Sequence, residues 1–331
     1  MRIPMLAVLC SAFTGCFAPI GPEHDNGDRP DAGSTSDGGA VNGCETKTGD
    51  VLIDAMSDFD TLPKGCWNAG ARLTIKGSAV TSLERLGDLK KVQSIELDGT
   101  PLQAFNSKAP IDVTGDIVIA NNAQLTSLDN LKPLDTVASV RVEGNQLLAN
   151  LGGLAGAKKI SSATIRNNPQ LTTLELRADT ISGDFIVEGN AKLVAPTLDN
   201  VTTIGNYMVR DNVLLTSIGA LPKLTTISGN LVIDNNDRLA TLSPTIGGTA
   251  LRISGFIDVR NNQVLTSLGN LSHAQQVTGT VQFSYNPALH YHVVYEYACC
   301  VQSGATYIDN SGPSCANNNT PYCGNNCPSL N

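Results

Sequence analysis

From Asn122 to Asn286 the chain keeps returning to one arrangement, typified by "GNLVIDNNDRLATL" between Gly229 and Leu242. Alternating apolar residues lead to a polar pair, and a Leu follows at fixed distance. With the second residue of the pair as origin, Asn recurs at Asn122, Asn145, Asn168, Asn190, Asn212, Asn236, Asn262 and Asn286, at steps of 23, 23, 22, 22, 24, 26 and 24 residues. Positions −5 and −3 are almost always apolar, from Ile117 and Ile119 to Val281 and Phe283, and +3 is Leu in every copy, from Leu125 to Leu289. Weaker copies carry Ser78 and Thr100 at the origin. An earlier one is marked by Val51 and Ile53, and a last, incomplete one by Tyr307 and Asn310.

A period of this length defines a solenoid, whose coils bury apolar surface only against their neighbours. Alternation at −5 and −3 is that of a strand with one buried face, and the rest of each coil is too short for a long helix. The expected fold is therefore all-β: a right-handed parallel β-helix of about eleven coils over residues 44–289. At about 4.8 Å per coil it would run roughly 50 Å. The Asn column is expected to serve the sharp bend after each strand, because Asn tolerates the left-handed backbone region. Stacked amides would also hydrogen-bond to the coils above and below, sparing about 1–3 kcal/mol per buried backbone group.

Composition agrees. Only 16% of the 331 residues are charged and 5% aromatic, which suits tightly turned β-structure. The net charge of −8 argues against nucleic acid, whose phosphates need a basic face.

The ends differ from the repeats. Arg2 precedes the apolar run "IPMLAVLCSAF" and then "FTGC", Phe13 to Cys16. This resembles a bacterial lipoprotein signal over residues 1–15, with Phe13 where Leu is more usual. The resemblance implies that Cys16 becomes the lipidated first residue and anchors the chain in a membrane. Cleavage as an ordinary secretory peptide is the alternative. Phe17 is not the Asp that retains such lipoproteins at the inner membrane, so the expected address is the outer membrane of a bacterial envelope. Residues 16–43 carry five acids, one Arg and many Gly, Pro and Ser, the composition of a flexible tether. In an oxidising compartment cysteines pair. Apart from Cys10 and Cys16, seven remain: Cys44, Cys66, Cys299, Cys300, Cys315, Cys323 and Cys327. Seven is odd, so one thiol stays free or pairs between chains, unless the count of paired cysteines differs. Residues 290–331 form a Cys-rich segment expected to cap the last strand edge, with pairing undetermined.

The pattern "ISGNLVIDNNDRLATL" is similar to that of the receptor L-domain family, which occurs in receptor ectodomains and exported microbial surface proteins. Shared features are Gly before the strand, alternating apolar residues, Asn after it and Leu at three-residue spacing. The opening "CETKTGDVLIDAMSDFDTLPKGCWNAGARLTI" resembles the family's first coil, where a cystine closes the solenoid. That implies a pair between Cys44 and Cys66. Leucine-rich repeats are the second resemblance, but place their Asn differently.

On the outward face, position −2 alternates in sign from Glu143 through Arg166, Glu188, Arg210 and Asp234 to Arg260. Alternation would pair side chains about 4.8 Å apart, each exposed pair being worth about 0–1 kcal/mol. The row can serve as a register-fixing ion ladder or as a binding surface. At −4, Ile186, Met208 and Val232 would form an apolar strip beside it, either a contact site or plain β-propensity. The longer turn from Ser243 to Gly255 is a third candidate. Asp211, Asp234, Asp237 and Asp258 lie on neighbouring coils, but Arg210 and Arg260 interrupt any calcium-dependent polysaccharide-cleaving cluster. His290 and His292 precede Cys299 and Cys300, a weak zinc pattern where cystines are favoured. The expected function is recognition or adhesion without catalysis or cofactor, toward a protein or glycan. A polysaccharide-acting enzyme and a purely structural envelope component are the alternatives.

Overall fold

The computed structural model describes residues 43–133, 135–242, 251–269, 271, 274, 276–290, 293, 294 and 297, and the backbone of the strand Thr306–Asp309. The signal, Cys16, nearly all the tether, Cys299, Cys300, Cys315, Cys323 and Cys327 lie outside the described residues, as do Tyr307 as a side chain and Asn310.

The alternating stretches do form strands, and these stack in parallel. One ladder runs from Val51–Ile53 through Cys66–Lys76, Asp88–Asp98, Ile117–Ala120, Thr136–Glu143, Lys159–Arg166, Thr180–Glu188, Thr203–Arg210, Leu231–Asp234, Ile257–Arg260 and Val281–Ser284 to Thr306–Asp309. The register pairs equal repeat positions, for example Val209 with Ile233 and Ile233 with Val259. The chain is a β-solenoid of about ten turns, against about eleven expected.

Two further extended faces, not resolved by the repeat pattern, close each coil. The longer strands bend, with a register shift such as that between Ile181 and Phe185. Their first halves then continue a second column through Thr226–Ile227, Arg252–Ile253 and Gln276–Val277. A third column is thin: Thr173–Glu175 pairs with Ala195–Thr197, and single bridges join Ala104 to Ser127 and Thr241 to Ser267. Inside lie the −5, −3, +3 and +6 side chains, essentially without solvent contact, including Phe185 stacked on Tyr207 at 5.2 Å. The Tyr207 hydroxyl donates to the Ile218 carbonyl, and burial pushes its pKa far up.

The Asn column divides its expected duties between two positions. All eight origin Asn residues are fully buried. Each side-chain oxygen accepts from the backbone N–H of the origin residue one coil earlier: from Asn122 to Asn145 at 3.1 Å, from Asn190 to Asn212 at 3.0 Å, from Asn262 to Asn286 at 3.0 Å. Each Nδ2 donates back to a strand carbonyl, as Asn212 does to Val187 at 2.9 Å. Thr100 joins the ladder through Asn122, whereas Ser78 is exposed. The left-handed conformation, however, belongs to the preceding residue: Asn121, Asn167, Asp211, Asn235, Asn261 and Tyr285, or Gly77, Gly99, Gly144 and Gly189. The reason is directional. The residue that turns the corner points outward, and the next one points inward, where only a side chain with donor and acceptor can serve both adjacent coils.

In the first coil, the 3-10 turn Asp58–Thr61 buries Phe59, and Leu62 just after it is buried in the same core. Cys44 and Cys66 are bonded, as the family resemblance implied. The single Trp of the chain, Trp67, is buried beside this bond, and its Nε1 donates to the Leu86 carbonyl at 2.8 Å. Replacing both cysteines by serine should remove about 3 kcal/mol, the chain-entropy value for a loop of this size. Trp67 fluorescence should report fraying of the first coil at lower denaturant than circular dichroism reports for the rest.

Candidate recognition surface

The outward face of the main sheet gathers the residues singled out above. Register places Glu143, Arg166, Glu188, Arg210, Asp234 and Arg260 side by side on six successive coils. Their contacts are pairwise rather than continuous. Arg166 Nε meets Glu143 at 2.6 Å, Arg210 Nε meets Glu188 at 3.3 Å, and Arg260 Nε meets Asp234 at 3.0 Å. Among the described residues no ion contact within 4.0 Å joins Arg166 to Glu188 or Arg210 to Asp234. Each Arg leans toward the earlier coil, and one guanidinium stem cannot lean both ways. The contact to Glu188 is off-line for a hydrogen bond, so Arg210 Nε has no hydrogen-bond partner.

The apolar strip is real as a row: Ile186 lies opposite Met208, and Met208 opposite Val232, all three half-buried. It is bounded by Thr164 and Arg141 on earlier coils and by Asp258 on the next. Asp258 Oδ2 lies 3.2 Å from Arg260, while its Oδ1 has no hydrogen-bond partner. Burial raises the Asp258 pKa; Arg260 opposes this and Asp234 adds to it.

The other candidates dissolve into the scaffold. Asp211 accepts from Asn235 at 2.7 Å and Asp234 from Asn261 at 2.8 Å, so these carboxylates tie corners together. Among the described residues no three His, Cys, Asp or Glu side chains are grouped to hold a metal. His290 is exposed, and His292 lies outside the described residues. Of the long turn, 243–250 is outside the described residues. Leu251 is buried, Arg252–Ile253 is a paired strand and Gly255 is stacked between coils, so its second half is solenoid rather than free loop.

Two features escaped the sequence. The corner before the strand has its own polar ladder: Ser139 N–H donates to Asp116 Oδ1 at 3.2 Å, Asn230 N–H to Asn206 at 2.7 Å and Phe256 N–H to Asn230 at 3.0 Å. Its residue type varies from coil to coil, which hid it. The second is an open groove of about 720 Å³ beside the cystine, with Thr46, Asn68, Lys91, Gln93 and Asp112 along it. It is assembled from four coils, and no local pattern marks it.

Searches for relatives found none: no protein-family model, curated protein or solved structure matches the chain. No helix among the described residues is long and apolar enough to cross a membrane.

Proposed function

We propose that this chain is a non-catalytic recognition protein of a bacterial envelope, lipid-anchored at Cys16 and related to the receptor L-domain family. Its outward sheet face engages a protein or glycan partner. The observation that carries the reading is the apolar row Ile186, Met208 and Val232 aligned beside a row of charges on a rigid parallel sheet. Apolar side chains held in solvent by a stiff frame lose little entropy on contact, and a rim of charges gives a contact its selectivity. The tether composition of residues 16–43 and the lipoprotein-like start supply the envelope address.

The test is affinity capture from envelope extract with the full chain and with Met208→Asp. A charge at the centre of the strip should reduce capture of a specific partner at least about tenfold, since a buried central contact is worth more than 1 kcal/mol. The thermal midpoint should stay near wild type, because Met208 lies outside the core. Equal capture by both proteins would remove this face from the function, and an unmodified Cys16 in the mass of the mature protein would remove the anchor.

A further inference from the structure

Resting on the proposed recognition role of this face, we propose that the partner it fits is a second copy of the chain, bound face to face in antiparallel coil order about a two-fold axis lying between the coils of Glu188 and Arg210. An alternating row with an even number of members is its own complement when reversed. The six charges read −, +, −, +, −, + from Glu143 to Arg260. Reversed, Glu143 faces Arg260, Arg166 faces Asp234 and Glu188 faces Arg210, each twice by symmetry, as a closed isologous contact requires.

The neighbouring column obeys the same operation, although nothing in the row of charges demands it. Ile186 falls against Met208, Thr164 against Val232 and Arg141 against Asp258. The apolar strip then sits on the axis. Asp258, which already lies 3.2 Å from Arg260 in its own chain, faces the Arg141 of the second copy. In the −6 column Asp184 faces Asn206 and Ser139 faces Phe256, so no like charges meet. Other arrangements do worse. A two-fold along the solenoid axis over the −4 column sets Arg141 on Arg141 and Asp258 on Asp258, and one between the −4 and −2 columns sets Ile186 on Glu188 and Met208 on Arg210, so that no apolar pair forms. Sliding the antiparallel register by one position in the row sets Glu188 against Asp234 and Arg166 against Arg260.

Side-chain height also suits the pairing. The arginines stand 39–46% exposed while Glu143, Glu188 and Asp234 are 14–28% exposed. Each copy thus presents raised cations and recessed carboxylates, and the reversed row sets one into the other. Six coils about 4.8 Å apart and three outward columns give roughly 600 Å² per copy, somewhat below the ~800 Å² of a standard interface. The dimer is therefore weak, salt-sensitive and concentration-dependent.

The test is sedimentation equilibrium of the full chain from about 1 to about 500 μM, a span that brackets weak self-association. Wild type should approach twice the monomer mass at the top of the range and return to monomer in high salt. Arg210→Glu sets carboxylate against carboxylate twice at the axis and should remain monomeric throughout. The double variant Glu188→Arg with Arg210→Glu separates inter-chain from intra-chain pairing. It places a second cation beside Arg166 within the chain, lowering the melting temperature, yet keeps every inter-chain pair opposite in sign, so dimerisation should return. Thr164→Cys combined with Val232→Cys should form an inter-chain disulfide under mild oxidation beyond the wild-type background, and neither single variant should. Wild type that stays monomeric at every concentration overturns the dimer. So does a folded double variant that stays monomeric, or an Arg210→Glu that associates like wild type. The broader reading fails separately, if Met208→Asp captures envelope partners as well as wild type does.

Discussion

Asn236→Ala is expected to destabilise the protein by about 3–6 kcal/mol, while Asn235→Gly, one residue away, leaves stability within about 1 kcal/mol. Asn236 is fully buried and joins three coils. Its oxygen accepts from Asn212 N–H at 3.2 Å, and its Nδ2 donates to Val209 O at 3.0 Å and Asp234 O at 3.1 Å. Alanine leaves these groups in a dry corner, at about 1–3 kcal/mol for each one stranded. Asn235 instead turns the corner at φ 56° with its side chain outward, where it donates to Asp211 at 2.7 Å. Glycine adopts that conformation without strain, so only a surface hydrogen bond is lost. Denaturant unfolding of the two variants against wild type checks the contrast. Hydrogen exchange should localise the Asn236→Ala damage to the coils of Asn212 and Asn262, because a solenoid's stability is a sum over neighbouring coils.

Gly205→Ala should cost about 3 kcal/mol or more, in the range for forcing atoms into a closed core. Gly205 lies at the bend within the strand Thr203–Arg210, and a Cβ there would sit 2.3 Å from the Gly183 carbonyl oxygen and 2.6 Å from its carbon. Both are backbone atoms of the adjacent coil, so no side chain can move aside, and the coils must separate or tilt locally. Gly65, whose Cβ would meet nothing within 4 Å, is the control: Gly65→Ala should be near neutral. Thermal melts of the pair test this, with the Gly205 variant falling by several degrees at least.

Much of this architecture was legible because a solenoid writes its tertiary contacts into its period. When each coil touches the next at equal positions, a residue's spatial neighbours lie one repeat away in sequence. Ile186, Met208 and Val232 could thus be placed in one row before any coordinates. The same holds for the six charges and the eight buried Asn residues. The assignment of the left-handed corner to the origin Asn failed on a point that spacing does not carry: which of two adjacent amides faces the interior. At that corner the chain uses Asn235 in one coil and Gly189 in another, so composition blurs the column that bends while the column that bonds stays pure.

What the sequence by itself determined is the repeat, the strand register and the outward rows Glu143 to Arg260 and Ile186 to Val232, since these follow from alternation and period alone; Val118 and Ala120, outward by the same count, are buried instead. Only the tertiary structure decided which way each Arg leans, which splits the charge row into the pairs Glu143–Arg166, Glu188–Arg210 and Asp234–Arg260. It also decided that bends between faces draw Gly183 and Gly205 into backbone contact, and that four coils line an open groove beside Cys44 and Cys66. Those outcomes depend on side-chain rotation and on angles between faces, and a one-dimensional period contains neither.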